Sequence, residues 1–123
     1  MKQLLVFLTV ILMASPTIAQ NIEVCKTCPF STLKEGITNA KDFDTIVVKK
    51  GTYKEHAVIV DKPLTIIGEN YPVIDGELKG EIITVIADSV TVDGLFIKNV
   101  GNSYTEDYAA IRVKNSKNFL IQN

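Results

Sequence analysis

The chain has 123 residues, long enough for a single domain, and its 13 basic side chains stand against 14 acidic ones with a single histidine. Setting aside an expected leader of nineteen residues leaves a formal charge of −2. That balance excludes the electrostatic footprint of a protein that binds nucleic acid or anionic lipid.

The opening stretch, MKQLLVFLTVILMASPTIAQ, reads as a secretory signal peptide over residues 1–19. Lys2 supplies the positive start, and Leu4 to Ala14 form an apolar run broken only by Thr9. Thr17-Ile18-Ala19 offers small residues at the −3 and −1 positions of a cleavage site. The run is about half the roughly twenty residues a bilayer span needs, so no membrane span is expected after cleavage. No cysteine follows the cut directly, so a lipoprotein anchor is not indicated.

Export places Cys25 and Cys28 where disulfides persist. The C-x-x-C spacing leaves three readings open: a local disulfide, a redox dithiol, or a pair of soft ligands for a metal such as Cu(I). It lacks the second ligand pair of a closed site. Pro29 and a nearby helix start would lower a thiol pKa.

Thr32 and Glu35 have capping-box spacing ahead of Leu33, Ile37 and Ala40, which predicts a short helix from Leu33 to Lys41, weakly interrupted by Gly36. This helix and the Cys-x-x-Cys stretch form a leading segment, residues 20–45. DTIVVKKG then supplies the first strand, with Ile46 and Val48 facing inward. His56 is the only histidine, and a lone histidine at a strand start has no second imidazole or thiol near it in sequence.

From residue 46 to 123 the chain repeats itself. PLTIIG (63–68), SVTVDG (89–94) and NFLIQN (118–123) align at separations of 26 and 29 residues. Leu64, Val90 and Phe119 share one column, and Ile66, Val92 and Ile121 the next apolar one. Gly68, Gly94 and Asn123 fall on the last column, where residues that tolerate a left-handed backbone are favoured. Upstream, VIV, ITV and IRV align Val58 with Ile83 and Ile111, and Val60 with Val85 and Val113. Strand, bend, strand, bend at this period predicts coils stacked by parallel pairing about 4.8 Å apart, with aliphatic columns inside. The fold class is all-β, a right-handed parallel β-helix, with the short helix covering its N-terminal end. NFLIQN stops partway through a coil, so a stack truncated at its C-terminal end is expected.

Asp75-Gly76 and Asp93-Gly94 sit at bends, where aspartate is favoured for turn chemistry. Arg112 alternates outward on its strand. GNSYTEDYA (101–109) lengthens the second repeat to 29 residues, and its Tyr104, Glu106, Asp107 and Tyr108 form an edge loop of the kind that carries recognition.

The order of blocks DTIVVKKGTYKE, KPLTIIGENYPVIDG, ADSVTVDGLFIKNVGNSYTEDYAAIRV and NFLIQN, behind a signal peptide and a capped helix, resembles the start of the NosD family. These are periplasmic maturation factors of nitrous oxide reductase within the pectin-lyase-like β-helices. The resemblance covers essentially the whole segment after the leader. Asp-Thr-Ile…Gly-Thr-Tyr is common to many such β-helices. Val-Ile-Asp-Gly, Gly-Leu-x-Ile and the acidic insertion before Ala-x-Ile are more specific together. The resemblance implies a non-catalytic periplasmic protein of denitrification that helps assemble a copper-sulfide centre. The partners it implies are ABC transporter subunits and a copper chaperone; no resident cofactor is implied, and copper is the one candidate. Cys25 and Cys28 are the metal-ligand candidates, with few other soft ligands after the leader. The alternative is a secreted carbohydrate-binding or polysaccharide-processing β-helix.

Overall fold

The alternating runs become short strands wound into coils. The computed structural model describes residues 18–123; the export signal expected over residues 1–19 falls almost wholly outside them. In chain order the elements are β1 (Asn21–Val24), α1 (Leu33–Asn39), β2 (Thr45–Val48), β3 (Thr52–Lys54), β4 (Val58–Val60), β5 (Thr65–Gly68), β6 (Val73–Asp75), β7 (Ile83–Val85), β8 (Thr91–Asp93), β9 (Phe96–Lys98), β10 (Ile111–Val113) and β11 (Leu120–Gln122). They pair, always in parallel, as three sheets: A is β1-β2-β5-β8-β11, B is β3-β6-β9 and C is β4-β7-β10. The chain visits A, B and C in turn, so each circuit adds one strand to every sheet. The result is a parallel β-solenoid of about four turns.

The register agrees with the aligned columns. Ile66 pairs with Val92, and Val92 with Ile121. Val58 pairs with Ile83, and Ile83 with Ile111. Leu64 and Val90 stand one residue before β5 and β8, both buried, and Phe119 stands at the same place before β11. Phe119 and Ile121 keep the register but are 50% and 43% exposed. They belong to the outermost described coil, which has no strand stacked above it in sheet A. Beneath it, Ile46, Val48, Val58, Val60, Ile66, Ile74 and Ile83 are fully buried. Packing identical inward positions of successive coils gives the solenoid its core, and every coil depends on its neighbours for burial.

Two features of the N-terminal end differ from the sequence reading. The first strand is β1, not β2: Ile22 pairs with Ile46 and Val24 with Val48, so sheet A begins inside the leading segment. α1 lies between β1 and β2, where later coils place strands of sheets B and C. It packs on β1, β2 and β4. Gly36 lets it approach closely, because a Cβ there would lie 2.8 Å from Val24 Cγ2. The helix also ends at Asn39 rather than Lys41. Ala40 turns to an extended backbone at φ −75°, ψ 152°, and its N–H bonds back to the Ile37 carbonyl.

The cap helix is held at both ends by side chains from the first full coil. At its start, Thr32 Oγ1 accepts from Glu35 N–H at 3.1 Å, as its capping-box spacing predicts. The carboxylate of Glu55 accepts from Leu33 N–H at 2.7 Å and Lys34 N–H at 3.0 Å. At its end, Lys62 Nζ donates to the Ile37 and Ala40 carbonyls at 2.8 and 2.7 Å. An anion at the N-terminus and a cation at the C-terminus satisfy backbone groups that the helix cannot pair internally. Asp44, 4% exposed, secures the turn into β2 by accepting from Gln20 N–H and Lys41 N–H, each at 2.8 Å. Those two bonds, Gln20 first, hold its carboxyl below the usual aspartate value.

Candidate functional site at the corner between sheets B and C

Loop length is concentrated at one corner of the coil. The connections from sheet B to sheet C are residues 55–57, then 76–82, then 99–110, so each circuit carries a longer loop than the last. Their backbones are tied to one another. Ala57 N–H donates to Glu81 O at 2.8 Å, Leu78 N–H to Asn99 O at 2.9 Å and Gly101 N–H to Gly80 O at 2.9 Å. The corner is therefore a stepped shelf continuous with the solenoid, not three independent loops.

Most of the exposed chemistry singled out in the sequence meets here. His56 lies in the first connection, Asp75 and Arg112 flank the later ones, and Tyr104, Glu106, Asp107 and Tyr108 are on the longest. Across the three connections, Glu55, Glu77, Glu81, Glu106 and Asp107 outnumber the single Lys79. Asp93 stays away from this group, at the start of the A-to-B bend, where it accepts from Gln122 Nε2 and Asn123 Nδ2 at 3.0 and 2.8 Å.

The aspartate at Asp75-Gly76 does turn chemistry, as its position predicts. Its Oδ1 accepts from Asn99 Nδ2 and Glu77 N–H, both at 2.9 Å. The Asn99 bond first, then the Glu77 bond, hold the carboxyl below its ordinary value, with Lys98 and Lys54 adding positive charge. Lys54 and Lys98 flank it on the same outward column of sheet B. A carboxylate kept ionised in this way is unsuited to acting as a general acid.

Arg112 has a structural partner rather than a free guanidinium. Its Nε–H is shared between Glu81 Oε1 and Oε2, at 2.7 and 2.8 Å, and Nη2 donates to the Asp107 carbonyl. Thr84 Oγ1 donates to Glu81 Oε1 at 3.0 Å. Burial pushes the Glu81 carboxyl up, but the hydrogen bonds from Arg112 and Thr84, with the Arg112 charge, outweigh it and bring the net value below normal. Glu81 and Arg112 thus staple the longest loop to sheet C. Beyond the staple, the carboxylate of Glu106 raises the phenol of Tyr108 above its usual value. Tyr104 is fully exposed and, with Asn102 and Ser103, lines a cavity of about 270 Å³.

The staple gives an expected pH response. The Glu81 carboxyl is lowered by folding, so its contribution is complete above the unfolded value near 4.3 and fades as pH falls through the folded value. Hydrogen-exchange protection of residues 101–109, taken relative to the intrinsic amide rate at each pH, should fall in the wild-type chain as the Glu81 carboxyl becomes protonated. Arg112→Leu should lower that protection already at neutral pH, at a global cost of about 1 kcal/mol after solvent screening. Unchanged protection in both arms would show that the loop is held by its backbone alone.

No family model, curated protein or solved structure matches the chain.

The remaining candidates, Cys25 and Cys28, lie at the base, between β1 and α1, and are joined as a disulfide. In that state neither sulfur is a thiolate, so ligating a soft metal would first require reduction. Among the described residues no group of three His, Cys, Asp or Glu side chains is arranged to hold a metal ion. No helix among them is long and apolar enough to cross a membrane. Glu55 and Lys62 hold the two ends of α1, a role that sequence reasoning missed. Their partners lie more than twenty residues away, and nothing in the local pattern marks them.

Proposed function

We propose that the protein is an exported, periplasmic accessory factor in assembly of the copper-sulfide centre of nitrous oxide reductase. It acts by docking partners on a rigid solenoid, beside an ABC transporter and a copper chaperone, and not by turnover. The observation carrying the reading is the stepped acidic shelf. Three backbone-linked loops of increasing length present Glu77, Glu106 and Asp107, with Leu78 and Tyr104 exposed among them. A rigid scaffold whose loops carry more acidic than basic side chains suits recognition of a basic protein surface. The order of sequence blocks supplies the choice of pathway.

A strain lacking the protein should produce nitrous oxide reductase without its copper-sulfide centre, read from the visible spectrum of the purified enzyme. A strain carrying Glu106→Lys and Asp107→Lys together should reproduce the defect while the variant still folds. Normal assembly in the deletion strain would remove the proposal.

Tyr104 favours one other reading. An exposed aromatic beside Asn102 and Ser103 is a platform on which a sugar ring can stack. Affinity electrophoresis through polysaccharide gels, with Tyr104→Ala as the control, separates a carbohydrate-binding role from protein docking.

A further inference from the structure

The turn crossed by the Cys25–Cys28 disulfide also carries backbone bonds of its own. Cys28 N–H donates to the Cys25 carbonyl and Cys25 N–H to the Phe30 carbonyl, each at 3.2 Å, and Val24 bridges Phe30 in parallel. Below the turn, Val24 is fully buried, and its carbonyl accepts from Lys49 N–H at 2.9 Å and from the Tyr53 hydroxyl at 3.2 Å. A cross-link between residues three apart also removes little entropy from the unfolded chain, because that gain grows with loop length. Both cysteines are partly accessible, and the Lys26-Thr27 pair between them is exposed. Within these 123 residues Cys25 and Cys28 are the two cysteines, so neither has a third thiol among them to reshuffle with.

From this we infer that Cys25 and Cys28 form a thiol–disulfide exchange site whose co-reactant is a dithiol on another protein. A thiolate of the partner attacks Cys28 Sγ. The Cys25–Cys28 bond breaks, a mixed disulfide forms on Cys28, and the electron pair passes to Cys25 Sγ. The Thr27 hydroxyl lies 3.6 Å from that sulfur and donates to the thiolate as it develops. The partner's second thiolate then attacks the partner sulfur of the mixed disulfide and displaces Cys28. Two electrons have moved. The partner dithiol is now a disulfide, and Cys25 and Cys28 carry the two protons it gave up. The sulfur with the better stabilised thiolate leaves faster, which selects Cys25 as leaving group and makes Thr27 a positioning residue. The site stands independently of the docking shelf and of the role proposed for it.

The test uses the full chain in glutathione redox buffers, with thiol labelling and mass spectrometry as the readout. The pair should pass reversibly from oxidised to reduced across the range in which glutathione buffers cellular thiols. The reduced chain should melt within about 3 °C of the oxidised one, since the backbone keeps the turn. Thr27→Val should slow reduction about threefold with no change in melting temperature, and Thr27→Ser should restore the rate. A pair that stays oxidised in a large excess of reduced glutathione, or a melting temperature that collapses on reduction, marks a structural cross-link and overturns the inference. An unchanged rate in Thr27→Val overturns the assignment of Cys25 as the leaving sulfur.

Discussion

Replacing Glu55 with alanine should destabilise the protein by about 3 kcal/mol, the loss of two charge-assisted hydrogen bonds at a site where water is largely excluded. Glu55 is only 7% exposed, and its two oxygens are the partners of Leu33 and Lys34 N–H at the start of α1. Thr32 takes Glu35 N–H, so it cannot stand in for the missing carboxylate. For a domain of this size the loss corresponds to roughly 15 °C in melting temperature. Glu55→Gln keeps the shape and one carbonyl oxygen and should lose about half as much. Urea unfolding followed by far-ultraviolet circular dichroism measures both. A Glu55→Ala chain that melts within a few degrees of wild type would mean that water reaches the helix start and replaces the carboxylate.

The same residue shows where the sequence stops being informative. The repeated columns were legible because their signal is periodic. Ile66, Val92 and Ile121 recur in frame at the same position of successive strands, and parallel pairing needs nothing more. The helix start was legible because Thr32 and Glu35 are three residues apart. Glu55 and Lys62 carry no such mark. They act on α1 from 21 to 25 residues away, and only the closed first coil brings them there. β1 was missed for a related reason. Asn21–Val24 holds one alternation, too short to register before its partner Thr45–Val48 is known. At the shelf, the insertion and its charges could be read directly. The function of Arg112 could not, because it depends on Glu81, 31 residues earlier.

Gly68 is the second position where a small change should have a large effect, about 3 kcal/mol for Gly68→Ala, at the upper end of overpacking costs. Its backbone φ is not left-handed, so alanine is conformationally acceptable there. The cost comes from space. An added Cβ would lie 2.2 Å from the Gly94 carbonyl oxygen and 2.8 Å from both Gly94 C and Pro72 Cδ. Those neighbours cannot swing aside, because the coils are fixed by the pairing of Val48 with Gly68 and of Ile67 with Asp93. Gly94 is the reverse case. Its φ of +76° is left-handed, while its added Cβ would meet Gly68 O less severely, at 2.9 Å. Asparagine already occupies the same column at Asn123 with φ 57°. Gly94→Asn should therefore cost less than Gly68→Asn, even though Gly94 has the more unusual backbone. Thr65→Ala, outward on the same strand as Gly68, should stay within about 0.5 kcal/mol of wild type. If backbone conformation alone governed the column, Gly94 would be the costlier site, and thermal melts of the two asparagine variants decide between steric crowding and φ as the reason glycine stands at residue 68.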